Sequence, residues 1–177
     1  MLSKTHLARK EKTNMSAPKE AKTVSQSRTT QVQIVLAEHI NGMGRLFGGK
    51  LMEWIDITAA AAARRHSGCN VTTACIDRLD FTTAAFVNEM LVLEAQLTFV
   101  GSSSMEVRVD SYAENLDGSR RHVNRAYLVL VALDAQGVPT RVPRLIAQTQ
   151  EEADELEAGA ERNRLRKLRQ YVSKDKA

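Results

Sequence analysis

His39-Ile40-Asn41-Gly42-Met43-Gly44-Arg45-Leu46-Phe47-Gly48-Gly49-Lys50-Leu51-Met52-Glu53-Trp54-Ile55-Asp56 reads as a glycine-studded turn that opens directly into a helix. Four glycines fall between positions 42 and 49, and glycine reaches backbone conformations closed to other residues, so the chain can bring its own amides against a ligand. The first N–H groups of a helix lack intrahelical acceptors, and the helix dipole adds positive potential there. The junction therefore suits an oxyanion, a phosphate or a polarised carbonyl. Asn41 and Asp56 bracket it with an amide and a carboxylate. Asp56 has Trp54, Ile55 and Ile57 as neighbours, and the alanine run 59–63 offers it no charged partner. A carboxylate so placed is either buried for a purpose or lies at an interface. The residue pattern alone leaves a plainer reading open, because glycine clusters also mark tight strand-to-helix connections and an aspartate on an amphipathic helix is commonly solvated.

Working outward, Leu51, Trp54, Ile55, Thr58, Ala59 and Ala62 recur at helical spacing and predict a helix over 48–66, stopped by Ser67-Gly68. Its alanine-rich half favours close packing on a broad surface such as the concave face of a sheet. Upstream, Val32, Ile34 and Leu36 alternate with Gln31, Gln33 and Val35, which predicts a strand over 28–36. Four more strands are expected at 71–81, 90–101, 105–114 and 122–133. Asn115-Leu116-Asp117-Gly118 and Asp134-Ala135-Gln136-Gly137 supply the turn chemistry of antiparallel connections. One long helix with five antiparallel strands is an α+β domain. A second helix is expected over 151–169, acidic at its start and basic at its end as the dipole favours. Leu156, Leu165 and Leu168 are too sparse for a coiled coil, so this helix is expected to be solvated.

The chain of 177 residues suits one domain and is short for two. The division expected is a disordered basic tail over 1–27, the domain over 28–147, and a C-terminal helix and tail over 148–177. The formal charge of +4 is concentrated in residues 1–30, where seven Lys and Arg face two Glu, so the basic character belongs to the tail. With that distribution and only 5% aromatic residues, stacked-base recognition of nucleic acid is not expected. No stretch approaches the ~20 apolar residues of a membrane span, and the N-terminus lacks the apolar core of a signal peptide, which points to a cytoplasmic protein without a membrane partner. Cys69 and Cys75 read as reduced thiols, and the four scattered histidines give no metal-ligand spacing, so no metal is expected.

The pattern His-x-Asn-x-x-Gly-x-x-Phe-Gly-Gly-x-Leu-Met-x-Trp-x-Asp continues through the alanine run, Arg64-Arg65-His66, Val71-Thr72-Thr73-Ala74 and Asp77-Arg78-Leu79-Asp80-Phe81. It extends to Gly101-Ser102-Ser103-Ser104-Met105-Glu106-Val107 and 131–139. Taken together these motifs, spread over residues 28–147, resemble the hotdog-fold acyl-CoA thioesterases. More narrowly they resemble the bacterial acyl-CoA hydrolases related to brain acyl-CoA hydrolase. The resemblance implies a five-stranded antiparallel sheet wrapped round one central helix, Asn41 and Asp56 as the catalytic pair, and homodimers with interfacial sites, often assembled as trimers of dimers. The substrate it implies is fatty acyl-CoA, with coenzyme A as part of the substrate and no separate cofactor. In one place the chain departs from related sequences, which commonly carry Arg where Ser102 stands; this puts a phosphate contact from that position in doubt.

Thioester hydrolysis needs an activated water and a stabilised oxyanion. Asp56 would be the general base, Asn41 would orient the water or the carbonyl, and the amides of Gly48 and Gly49 would form the oxyanion hole. Asp56 lies ~11 to 12 Å along the helix from those amides, at about 1.5 Å per residue. A water and a carbonyl carbon hardly span that gap, so the site should combine Asp56 of one subunit with Asn41 and the glycine turn of another. Thr73, Arg78, Ser103 and Ser104 are candidates to line the site, and Arg64, Arg65 and Arg141 to meet coenzyme A phosphates. Two other readings compete. One is a non-catalytic module that binds acyl-CoA; the other is a dehydratase in which His39 or His66 would have to serve.

Overall fold

The computed structural model describes residues 20–174. In chain order these form β1 (Lys22–Thr23), β2 (Thr29–Ile34), a single 3-10 turn (Ala37–His39), α1 (Gly48–Ser67), β3 (Asn70–Phe81), β4 (Met90–Val100), β5 (Ser104–Glu114), β6 (Arg120–Leu133), β7 (Leu145–Ile146) and α2 (Gln150–Lys174). β2, β4, β5, β6 and β3 make one antiparallel sheet in that spatial order, as the hotdog expectation requires.

The helical stripe read from the sequence is what α1 buries. Leu51, Trp54, Ile55, Ala59, Ala62 and Ala63 pack with Leu91, Leu93, Ala95 and Leu97 of β4, Met105, Val107 and Val109 of β5, and Ala126, Leu128 and Leu130 of β6. The alanines let the helix axis approach the sheet, and the long strand side chains fill the remaining depth. Gly68, at φ 65°, ends the helix in the left-handed conformation and donates its N–H to the Arg64 carbonyl at 2.8 Å.

β3 is an edge strand of twelve residues, paired with β6 from Asn70↔Leu133 to Phe81↔Asn124 with irregularities at Thr73/Cys75 and Ile76/Arg78. Its other edge carries no strand among the described residues. Ile76 and Phe81, 43% and 55% exposed, stand on this bare rim. A long edge with exposed apolar side chains is a template for pairing with another chain.

Two expectations need correction. The tail expected to reach residue 27 gives way to ordered chain by Lys22, since β1 pairs in parallel with β7, and Val24 and Ser27 are buried. Residues 1–19 lie outside the described residues. The second helix, expected to be solvated, is clamped onto the outer face of the sheet. Gly159 sits so close to β4 that a Cβ there would lie 2.8 Å from Phe99 Cβ and 2.9 Å from the Thr98 carbonyl oxygen. Arg162 and Arg166 reach the fully buried Glu106 of β5, at 2.8 Å and 2.5 Å. Charged groups, with few apolar ones, hold this helix down.

Candidate active site

The glycine turn is a closed loop. Ile40 and Leu46 form a bridge, Asn41 donates its N–H to the Arg45 carbonyl at 2.7 Å, and Gly44 donates to the Asn41 carbonyl at 3.0 Å. Gly44 sits at φ 70°, where a side chain would be strained. Asn41 Oδ1 accepts from the backbone N–H of Met43 at 2.9 Å and of Arg45 at 3.3 Å. The carboxamide is thereby fixed from its oxygen side, and Nδ2 makes no hydrogen bond among the described residues, so it is available as a donor. His39, which would have to serve in the dehydratase reading, supports this loop. It accepts from the Leu36 N–H at 3.1 Å through Nδ1 and packs edge-on against Trp54 at 5.0 Å.

α1 starts without a side-chain cap: Phe47 occupies the capping position and makes no such bond, and the first turn holds no acidic residue. The N–H groups of Lys50 and Leu51 both go to the Phe47 carbonyl, at 2.9 and 3.1 Å, while those of Gly48 and Gly49 find no acceptor among the described residues. Two backbone donors, with no acidic residue in the first turn to offset the dipole, thus remain at the start of α1.

Two turns later Asp56, partly exposed, accepts a 2.5 Å hydrogen bond from Thr73 Oγ1 on β3 through Oδ1. Oδ2 makes no hydrogen bond among the described residues, and the Thr73 hydroxyl proton is committed to Asp56. The two halves of the site sit at opposite ends of β3, since Gly48 lies against Phe81, whose ring is 3.5 Å from where a Cβ on Gly48 would be. Asp56 and the Gly48 amide are eight residues apart along α1, which is ~12 Å.

Ser103, in the β4–β5 turn, and Ser104, the first residue of β5, lie at the Thr73 end of the sheet, with the Ser103 carbonyl bonded to the Ala132 N–H at 2.9 Å; among the described residues no bond joins them to Asp56. Arg78 is exposed and paired with Asp80. Of the phosphate candidates, Arg65 is engaged structurally, donating to the Arg28 carbonyl at 3.0 Å and to Thr29 Oγ1 at 2.9 Å, which ties the end of α1 to β2. Arg64 and Arg141 are exposed and make no side-chain bond among the described residues. His66, the other dehydratase candidate, is fully buried with Nε2 3.0 Å from the Pro143 carbonyl. Burial pushes its pKa below the usual histidine range, against a smaller opposing effect of that hydrogen bond.

Beside Asn41 opens a cleft of about 300 Å³ lined by Arg45, Leu46, Leu51, Val123 and residues 81–85. The sequence reading passed over it. The small-residue run Thr82-Thr83-Ala84-Ala85 after a strand was the signal available.

Comparison with known proteins gives a consistent picture. The Thioesterase superfamily pattern matches residues 43–118. The uncharacterized acyl-CoA thioester hydrolase YkhA of Bacillus subtilis is 40% identical over 135 residues, which is 76% of this chain and 75% of that protein. An acyl-CoA hydrolase of Staphylococcus aureus, solved with butyryl coenzyme A, coenzyme A and coenzyme A disulfide, superimposes with a TM-score of 0.83 at 31% identity, covering 88% of this chain and 96% of that one. A hexameric acyl-CoA thioesterase solved without ligand gives 0.81 at 39% identity, covering 85% and 97%. Three variants of the Staphylococcus aureus enzyme replace an asparagine, an aspartate and a threonine with alanine, at the same two separations along the chain as Asn41, Asp56 and Thr73.

Proposed function

The chain belongs to the Thioesterase superfamily, among its acyl-CoA thioester hydrolases, and from that premise we propose that it hydrolyses fatty acyl-CoA to a free fatty acid and coenzyme A at a site shared between two subunits. The observation that carries the reading is the separation of a complete set of hydrolytic groups along one helix, with the base at one end of β3 and the oxyanion donors at the other. Residue 77 lies midway between Thr73 and Phe81. Antiparallel pairing of two bare β3 edges about a two-fold axis near Asp77 would set Thr73 of one subunit opposite Phe81 of the other. Asp56 would then face the Gly48 and Gly49 amides and Asn41 across the interface. Irregularities on both sides of Asp77 shift this register locally.

In this arrangement Asp56 Oδ2 takes a proton from water, and the water oxygen attacks the thioester carbon. The Gly48 and Gly49 N–H groups and Asn41 Nδ2 stabilise the oxyanion. Collapse breaks the C–S bond and expels the coenzyme A thiolate, which takes the proton held by Asp56 Oδ2 and so returns the carboxylate to its starting state. Thr73 holds the carboxylate in position throughout. A module that only bound acyl-CoA would have no use for a carboxylate so aligned. Arg64 and Arg141 are the groups left to meet coenzyme A phosphates. The exposed row Val32, Ile34 and Leu36, 48–57% accessible, would let dimers assemble further, as a trimer of dimers. Among the described residues no helix is long and apolar enough to cross a membrane; we place the protein in the cytoplasm.

Release of free thiol from acyl-CoA tests the reading. Wild type should hydrolyse the thioester, and Asp56→Asn, which keeps the shape and removes the base, should lose at least ~10² in turnover while remaining folded. Near-normal turnover in that variant would remove Asp56 from the mechanism.

A further inference from the structure

We infer that the cleft beside Asn41 receives the acyl chain, and that Ala85 and Val123 in its wall set an upper limit of medium length. This rests on the acyl-CoA reading above. Asn41 stands at the cleft, and Phe81 is common to the cleft and to the start of α1, so a carbonyl held by Gly48 or Gly49 would have its chain directed inward. The deeper lining consists of buried core side chains: Leu46, Leu51, Ala85 and Val123 are each at most 9% exposed. Asn41, Arg45, Thr82 and Thr83 add polar groups to the lining, and Arg45 is exposed.

The wall is pinned. Leu46 donates to the Ala85 carbonyl at 2.8 Å, and Thr82 and Thr83 donate to the Val123 carbonyl at 2.9 and 3.3 Å. Arg121 adds bonds to Thr83 Oγ1, the Ala84 carbonyl and Glu89. A cleft held by so many bonds has a fixed depth rather than one that yields to a longer chain. Its volume of about 300 Å³ is about twice that of an engineered ~150 Å³ cavity that accepts one benzene. It therefore has room for on the order of ten carbons.

The test uses non-hydrolysable S-alkyl coenzyme A thioethers of increasing chain length, titrated calorimetrically into the full oligomeric protein. Affinity should rise about fourfold per methylene and level off at about ten carbons. Ala85→Leu should bring the plateau about three carbons earlier, and Val123→Ala should extend it by about two, matching the carbons added and removed. A plateau that stays in place in both folded variants, or affinity still rising through the hexadecyl thioether in wild type, overturns the inference. Should Ala85→Leu not fold, Val123→Ala decides alone. Thiol release separates the two layers. Hydrolysis with an unmoved plateau overturns the cleft assignment only, whereas plateaus that shift as stated without thiol release support the cleft and overturn hydrolysis.

Discussion

Along β5, Met105, Val107 and Val109 point toward α1 and are fully buried, while the alternate residues Glu106, Arg108 and Asp110 point toward α2 and are largely buried as well. The first set meets aliphatic carbon. The second meets a chain of ions: Glu106 with Arg162, Arg166 and Thr98, Asp77 with Arg166 and Arg169, and Glu155 with Arg108, Arg162 and Tyr127. The Arg162 guanidinium also lies 4.1 Å from the centre of the Tyr127 ring. One strand is thus covered on both faces by different physics. Burying carbon is favourable at any pH or salt concentration, whereas buried ion pairs roughly break even against their desolvation and fix geometry more than they add stability. The inner layer supplies the stability of the fold; the outer one positions α2 and holds β3 through Asp77.

The comparison can be broken at several points. Met105→Ala should be the most damaging, about 2–5 kcal/mol by denaturant unfolding, with a cost unchanged between low and high salt. Glu106→Gln, which keeps the volume and removes the charge, should cost about 1–3 kcal/mol. Its loss should concentrate in faster amide exchange over α2, with α1 still protected. Equal loss of protection in both helices would make the two layers one cooperative unit. Gly159→Ala places its Cβ against the backbone of β4, so α2 must lift, at about 1–3 kcal/mol; an unchanged melting temperature would contradict the close contact.

The pH responses are smaller. His66 is held neutral by burial, so its folded pKa lies below the usual 6.5 and protonation favours the unfolded chain. Stability should be insensitive to this group above 6.5 and fall as pH drops from there toward the folded value. His66→Gln should flatten that segment of a stability–pH profile. On the outer face, burial raises the Glu155 pKa, but its hydrogen bond from Arg162 and the charges of Arg108 and Arg162 outweigh this and leave it below the usual carboxyl range. Its contribution is present at neutral pH and lost only as pH falls below about 4.5 through the folded value, so acid should loosen α2 after His66 has begun to titrate.

The inner layer was legible in the sequence because apolar residues recur there with the periods of helix and strand. α1 and the four strands after it begin and end within two residues of where the pattern placed them. The outer layer was not legible, since Glu106, Arg108 and Asp110 at alternate positions of β5 look like a solvated face until a second charged element is laid on them. Gly159 in mid-helix was the overlooked sign of close approach. β1 and β7, two residues each, carry no periodicity at all. In the candidate site, Asn41, Asp56 and the two glycines stood out through the motif that carries the family resemblance. Thr73 as the residue that fixes Asp56, and the commitment of Arg65 to β2, depend on contacts between distant segments.

The shared site is tested most directly by forming mixed oligomers from Asp56→Ala and Asn41→Ala chains, each inactive alone, and measuring free-thiol release from acyl-CoA. A mixed dimer should contain one interfacial site with both defects and one with neither. The account therefore predicts recovery to about half of wild-type activity per mixed dimer. Verified mixed dimers that stay inactive would contradict it.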